Sequence, residues 1–336
     1  MNYLLYSDLH IRPETHEVCD HVLSEIGILA EKHDATIING GDTHNTRGLI
    51  VTSSHDILTK HYMKWLERGL NQIILIGNHD QEDRVGEIHP MRGFSTYEGW
   101  HVVDEPTVID GIAFLPYMHK DRIPEALRKI KKVDTAIVHW GIMGAKRNDW
   151  NTDTDGIPVE WLARFKRVFS GHYHFRNQFE NVQYIGSPYQ QNHSESNQPK
   201  GVILYDKDSN KSTFHEIKDT PKYWQVGYTI NDKGDVEIEG EISNIKKGDH
   251  VSVKVEGDSE LVNAVTHDTV KKYFDCDSVK FNRLGRVKSH SRLGITSSEA
   301  LTPLLLMQKY TEFVDTSLDR KRLMDIGGEL INELHS

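Results

Sequence analysis

Five short polar clusters in the N-terminal half of the chain combine side chains that bind divalent metal ions. They read Asp-Leu-His at 8–10, Gly-Asp at 41–42, Gly-Asn-His-Asp at 77–80, His-Trp-Gly at 139–141 and Gly-His-Tyr-His at 171–174. Carboxylate, amide and imidazole ligands without thiolate suit octahedral Mn, Fe, Zn or Mg rather than a structural zinc. The 20 histidines of the sequence also favour metal chemistry, because imidazole is the commonest metal ligand.

The clusters offer about seven ligands, which is too many for one ion. Two ions about 3.5 to 4 Å apart would use them all, with one carboxylate between them. Such a pair stabilises the attacking and leaving oxygens of an in-line displacement at phosphorus. The sequence therefore predicts hydrolysis of a phosphoester.

Each cluster follows a short apolar run, so all five are expected in loops at strand ends. The predicted strands are Tyr3 to Tyr6, Thr36 to Asn39, Ile73 to Ile76, Ile112 to Leu115, Thr135 to Val138, Arg167 to Phe169 and Val182 to Ile185. Apolar residues at helical spacing predict helices over 15–32 and 53–68. This alternation indicates an α/β domain, in which loops at the carboxyl ends of strands converge on one ligand site.

The motif order D-x-H, GD, GNHD, H, GHxH resembles the calcineurin-like metallophosphoesterase superfamily, and every member of the set is present. The resemblance implies an α/β fold built as a β-sandwich flanked by helices. It implies a first ion held by Asp8, His10, Asp42 and His174, and a second held by Asp42, Asn78, His139 and His172. Coordination lowers the pKa of water toward neutrality, and the resulting hydroxide would attack the phosphorus.

Two neighbours of Asn78 have predicted catalytic roles. His79 matches the family's substrate-facing histidine and would protonate the leaving oxygen or stabilise the transition state. Asp80 is predicted to orient His79. A single histidine such as His10 or His139 is more often structural, whereas the compound pattern of all the motifs is improbable by chance.

A second resemblance narrows the family. The run Tyr-Ile-Gly-Ser-Pro-Tyr-Gln-Gln at 184–191 is similar to the stretch after the last metal histidines of SbcD-type nuclease subunits. The family layout implies a nuclease domain over 1–218, a small α+β capping domain for DNA specificity over 223–292, and C-terminal helices over 297–336. Those helices would dock on an SbcC-type coiled-coil ATPase, and their apolar pattern suggests a break near 327–328.

This resemblance also implies activity and assembly. It implies a manganese-dependent exonuclease and single-strand endonuclease for DNA end processing, recombination and repair, acting as a homodimer. The length resembles that of nuclease subunits from large bacteriophages. One departure concerns the loop after Asp42, where the family commonly reads GDLF and this chain reads Gly41-Asp42-Thr43-His44-Asn45. The residue of this loop that would approach DNA therefore stays open.

Composition limits the other possibilities. The chain has 336 residues, two cysteines and a net charge of −10, which disfavours a disulfide framework and DNA binding by bulk charge. No apolar run is long enough for a membrane helix, and a cytoplasmic location is expected, within the host for a phage protein. The expected DNA contacts are His44, Ser187, Lys280, Arg283 and Arg286.

Four alternatives stay open from the sequence. The enzyme could be a phosphatase or cyclic-nucleotide phosphodiesterase on small substrates, or a scaffold that kept the fold without turnover. The basic run over 279–292 could be a solvated face. The C-terminal apolar residues could pack on their own chain instead of on a partner.

Overall fold

The computed structural model describes residues 1–82, 88–196, 198–231, 233–274, 276, 278–286, 303–313 and 319–334. The described helices are α1 (His16–Lys32), α2 (Thr52–Glu67), α3 (Ile123–Lys129), α4 (Ser259–Ala264), α5 (His267–Lys271), α6 (Pro303–Phe313) and α7 (Arg320–Leu334). Short 3₁₀ turns occur at Pro13–Thr15, Pro90–Thr96, Lys120–Arg122, Val159–Leu162, His193–Glu195 and Ile242–Asn244.

The first sheet has six strands and is parallel through its centre. Its members are β1 (Asn2–Tyr6), β2 (Ala35–Asn39), β3 (Gln72–Leu75), β4 (Trp100–Val103), β11 (Gly201–Asp206) and β12 (Lys211–Glu216). The strand order is β12–β11–β1–β2–β3–β4. The strands β1 to β4 run parallel, and β11 and β12 add an antiparallel edge.

The second sheet has the same size and a similar plan. It contains β5 (Thr107–Ile109), β6 (Ile112–Leu115), β7 (Thr135–Val138), β8 (Arg167–Ser170), β9 (Gln178–Phe179) and β10 (Val182–Tyr184). The order is β5–β6–β7–β8–β10–β9, with β6, β7, β8 and β10 parallel.

The two sheets face each other across an apolar core. Alternate residues of each strand point into it, including Leu5 of β1, Phe114 of β6 and Ile137 of β7. The opposite face of the first sheet packs on helices α1 and α2, and that of the second packs on α3. Because both faces are covered, the strands are apolar along their whole length, as in other buried parallel sheets. The predicted α/β sandwich flanked by helices is confirmed.

A third sheet lies later in the chain. Its strands are β13 (Tyr223–Ile230), β14 (Val236–Glu239), β15 (His250–Asp258) and β16 (Ser278–Arg286), in the order β14–β13–β15–β16. The chain divides into two compact units. One comprises Met1–Gln225, Glu241–Ser252 and Phe274–Lys280, and the other comprises Val226–Gly240, Val253–Tyr273 and Phe281–Ser336. The domain limits inferred from the sequence stay predictions.

The expected helix break near 327–328 is wrong. Helix α7 continues through Gly327 and Gly328, although each glycine costs about 1 kcal/mol relative to alanine. A Cβ on Gly327 would collide with the Met307 side chain of α6, so the missing side chain permits close packing of the two helices. Within the described residues, no helix is long and apolar enough to cross a membrane.

Candidate metal centre

The predicted ligands come from loops at the carboxyl ends of strands in both sheets. Strands β1, β2 and β3 precede the loops with Asp8, Asp42 and Asn78, and strands β7 and β8 precede those with His139 and His172. Backbone hydrogen bonds hold neighbouring loops together, since the Asp8 N–H donates to the Gly41 carbonyl at 2.9 Å. The two sheets are joined directly by the His172 N–H, which donates to the Asp8 carboxylate at 3.0 Å.

Several ligand positions have a strained backbone. Asp8, His10, Asp42 and His172 have φ values of 57°, 44°, 55° and 88°, in the left-handed region that non-glycine residues rarely adopt. Each such residue costs on the order of 1 kcal/mol or more, and such strain gathers at functional sites. Here it turns the side chains of short loops toward one point.

The first ligand group consists of Asp8, His10 and His174. One candidate ligand atom from each lies within 4.8 Å of the others. The His10 Nε2 atom is 4.0 Å from Asp8 Oδ1 and 3.6 Å from Asp42 Oδ2. Ligands about 2.1 Å from an octahedral ion lie roughly 3.0 to 4.2 Å apart, so these separations fit a divalent cation.

The second group consists of Asp42, His139 and His172, with Asn78 beside them. The His139 Nε2 atom is 3.3 Å from Asp42 Oδ2 and 3.2 Å from Asn78 Oδ1. Asn78 Oδ1 is also 2.8 Å from His172 Nδ1. Asp42 and His10 lie together in a further group with His79, so Asp42 adjoins both ligand sets, as expected of a bridging carboxylate.

The electrostatics suit cation binding. Burial lowers the pKa of both His10 and His172 to about 3, which keeps these rings in the neutral form that binds metals. Burial opposes ionisation of Asp42, yet His139 beside it holds the pKa of this carboxyl well below its usual range. Burial also disfavours protonation of His139, but attraction to the Asp42 carboxylate raises the pKa of His139 to about 9. The site thus holds anionic oxygen that attracts positive charge.

The structure corrects the role of Asp80. Its carboxylate accepts the backbone N–H groups of Thr43 and His44 at 3.0 Å and of Gly77 at 3.1 Å. It therefore ties the loop after β2 to the loop after β3 rather than orienting His79. The His79 ring is instead fixed by its Nδ1 atom, 2.7 Å from the Asn45 carbonyl oxygen. Every residue has a backbone carbonyl, so the sequence does not indicate that the one of Asn45 would hold the His79 ring.

Two of the expected DNA contacts, His44 and Ser187, have buried side chains, and their role in binding DNA stays a prediction. His44 lies 3.5 Å from Asp80 and 3.2 Å from His55. The Ser187 hydroxyl donates to the Tyr189 carbonyl at 2.9 Å.

The expected basic contacts have different surroundings. Lys280 is exposed. Arg283 is also exposed, but its guanidinium donates to the Val265 carbonyl at 2.8 Å and stacks 4.8 Å from the Phe281 ring. The side chain of Arg286 lies outside the described residues.

Two cavities flank the ligand cluster. A cavity of about 170 Å³ is lined by His79 and by the exposed apolar residues Leu49, Ile50 and Ile88. A larger one of about 290 Å³ lies beside His172 and is lined by the side chains Tyr117, Lys120, Arg147 and Tyr173, among others. The Arg147 guanidinium lies 5.3 Å from the Tyr173 ring centre and pairs with Asp153 at 2.6 Å. This second cavity combines aromatic surface with charges of both signs, since Asp155 also lines it.

The structure therefore combines a helix-flanked double-sheet sandwich with an aspartate that lies between two groups of histidine and carboxylate ligands. The sequence is 26% identical over 188 residues to exonuclease subunit 1 of Enterobacteria phage T4, a match that covers 53% of this chain and 55% of the phage protein. The chain thus matches about half the length of that relative. The predicted resemblance to a phage nuclease subunit is confirmed. No family model matches the sequence.

Three solved structures are distantly similar to the chain. An archaeal phosphodiesterase is 12% identical with a TM-score of 0.36, covering 65% of this chain and 100% of its own. The nuclease MPE of Pseudomonas putida is 19% identical with a TM-score of 0.31, covering 60% and 83%. The calcineurin-like phosphoesterase YfkN of Bacillus subtilis is 10% identical with a TM-score of 0.33, covering 81% and 96%.

Proposed function

We propose that the protein is a two-metal DNA phosphodiesterase, the nuclease subunit of an SbcC/SbcD-type complex with exonuclease and single-strand endonuclease activity. The observation that carries this proposal is the position of Asp42 between ligand groups drawn from both sheets. Adjacent ion sites that share one carboxylate are the arrangement used for in-line displacement at phosphorus. The similarity to a phage exonuclease subunit supports DNA as the substrate.

In this proposal the first ion is held by Asp8, His10, Asp42 and His174. The second is held by Asp42, Asn78, His139 and His172, and manganese is the metal expected at both sites. When bound, the ions supply an activated water and offset the charge that develops on the phosphoryl oxygens. Burial of the ligands excludes competing water from this centre.

His79 acts on the leaving group. The Asn45 carbonyl accepts the Nδ1 proton of His79, which leaves Nε2 for the reaction. Its backbone N–H donates to Asp42 Oδ1 at 2.7 Å, so the residue stands beside the shared carboxylate. A protonated Nε2 transfers its proton to the oxygen that leaves the phosphorus.

The flanking cavities support a strand-like substrate. The cavity beside His172 is lined by Tyr117, Tyr173, Lys120 and Arg147, and aromatic and cationic side chains are the types with which proteins bind single strands. Local contacts of this kind bind DNA despite a net negative chain.

A homodimer and a coiled-coil ATPase complete the proposed assembly. Exposed apolar side chains on α6 and α7, namely Leu306, Tyr310 and Ile326, support docking of that partner.

The test uses the purified full chain with Mn²⁺ and end-labelled linear DNA, with an aryl phosphodiester in parallel. His79→Gln serves as the control for contaminating nuclease, and His101→Gln, an exposed histidine on β4, serves as its matched control. Degradation by the wild type and by His101→Gln but not by His79→Gln supports the proposal. Cleavage of the small ester alone, persisting after addition of the ATPase subunit, would favour a small-substrate phosphodiesterase.

A further inference from the structure

Glu195 is a buried carboxylate that directly contacts one of the proposed metal ligands. It is 2% exposed, and His174 Nδ1 lies 3.0 Å from its Oε1 atom. Three further groups donate to its two oxygens, namely Asn192 Nδ2 at 2.8 Å, Lys200 Nζ at 2.8 Å and Gln191 N at 3.3 Å, and Ser187 Oγ lies 3.1 Å away. Nothing in the motif set pointed to this residue.

Lys200 completes the arrangement. It is 4% exposed and, besides pairing with Glu195, its ammonium donates to the backbone carbonyl of His174. One ion pair thus contacts both the side chain and the main chain of this ligand. Burying two charges costs several kcal/mol per ion before their attraction is counted, so hydrophobic packing would be a simpler way to fill this space.

The hydrogen bond decides which nitrogen of His174 is free. A carboxylate only accepts hydrogen bonds, so Nδ1 carries the proton and Nε2 keeps its lone pair. A carboxylate partner also orients the ring and raises the basicity of the ligand nitrogen. The ligand His139 has no such carboxylate partner at Nδ1, because this atom donates to the neutral Gly40 carbonyl at 2.7 Å.

We infer that Glu195 is a positioning residue that controls occupancy of the first metal site through His174. The inference rests on the two-metal function proposed above. His174 belongs to the ligand group with Asp8 and His10 and not to the group around His139. Changes at Glu195 should therefore weaken one ion and spare the other, whereas general damage to the fold would weaken both.

The same loop supports the first site at a second point. Gln191 Nε2 donates to the backbone carbonyl of Asp8 at 2.6 Å, and the Tyr189 hydroxyl donates to that of Leu9 at 2.9 Å. The run that resembles SbcD-type subunits, 184–191, is thus the segment that holds the loop after β1. Glu195 adds the contact to the ligand side chain.

The experiment measures Mn²⁺ binding to the full chain by calorimetry and by the electron paramagnetic resonance signal of a coupled manganese pair. The variants are Glu195→Ala, Glu195→Gln, Lys200→Met and Asp20→Asn. Lys200→Met breaks the buried ion pair but keeps the acceptor for His174. Asp20→Asn is the matched control, because Asp20 makes a 2.8 Å carboxylate–histidine contact with His61, a residue of no ligand group.

We expect Glu195→Ala to bind one ion normally and the other about 10- to 100-fold more weakly, with loss of the coupled-pair signal. Glu195→Gln, whose amide oxygen can still accept, should lose less. Asp20→Asn should bind two ions normally. Lys200→Met, which loses the contact to the His174 carbonyl but keeps the acceptor for its ring, should weaken the first ion less than Glu195→Ala does. Circular dichroism checks that each variant folds. If Glu195→Ala does not fold, the inference is tested by comparing the Mn²⁺ affinities of Glu195→Gln and Asp20→Asn.

Two results would overturn the inference. One is wild-type affinity for both ions in the Glu195 variants, and the other is equal loss in Glu195→Ala and Lys200→Met. A wild-type chain that binds no Mn²⁺ would instead refute the two-metal function itself. The two failures are therefore distinguishable.

Discussion

Gly77 separates strand β3 from the ligand Asn78, and its missing side chain makes room for Asp42. A Cβ built on Gly77 would collide with the Oδ1 and N atoms of Asp42 and would lie 2.9 Å from its Cγ. Ordinary contact begins at 3.4 Å, so the carboxyl carbon must move by about 0.5 Å. The ligand atom Oδ1 lies closer to the added Cβ and must move by about 1 Å, which exceeds the roughly 0.5 Å that a catalytic constellation tolerates. The backbone of Gly77 does not have positive φ, so crowding is the only cost of alanine there.

The Gly77→Ala variant should therefore lose metal binding at both sites, because Asp42 adjoins both. A misplacement approaching 1 Å costs on the order of 100-fold in rate, and we expect a loss of that size in kcat/KM for an aryl phosphodiester. Overpacking should also destabilise the fold by about 1 to 3 kcal/mol.

The matched control is Gly93→Ala, since nothing lies within 4 Å of a Cβ at Gly93 and its φ is not positive. Calorimetric Mn²⁺ titration, hydrolysis rates and urea unfolding are measured for wild type and both variants. If Gly77→Ala binds two ions and turns over at the wild-type rate, Asp42 either relaxes without consequence or is not the shared ligand.

Other outcomes follow from the same geometry. His79→Gln should keep two bound Mn²⁺ ions while losing turnover, and a large loss of metal would show that His79 is a ligand. Asp153→Asn should cost about 2 kcal/mol at pH 7, since this buried carboxylate accepts from Tyr173 at 2.7 Å and from Arg147 at 2.6 Å. Burial opposes ionisation of Asp153, but Tyr173 foremost holds its pKa below the usual value, so the carboxylate stabilises above about pH 3.9. The difference in the free energy of urea unfolding between wild type and Asp153→Asn should then shrink as the pH falls below 4. A difference that does not change with pH would contradict this role of the carboxylate. Deleting 297–336 should leave hydrolysis of a small ester intact and abolish ATPase binding, and co-purification of the truncated chain with the ATPase would contradict the docking role.

Much of the framework could be predicted from local sequence. The helices predicted over 15–32 and 53–68 are His16–Lys32 and Thr52–Glu67 in the structure, and each predicted strand of the sandwich is present within a residue or two of its ends. Helical spacing and short apolar runs depend on neighbours in the chain, which is why they are readable there. Two strands that were missed, Trp100–Val103 and Lys211–Glu216, lie at the edges of the first sheet, where pairing partners decide.

The sequence by itself determined which residue types are available for metal chemistry and that each follows a strand. Only the tertiary structure decided how they are used. Asp80 ties two loops and Ser187 is buried, while Glu195 contacts His174 across 21 positions of the chain. His172 and Asp8 are 164 positions apart and still hydrogen-bonded. Partners of this kind are set by the packing of two sheets, and no local pattern records which side chains that packing brings together.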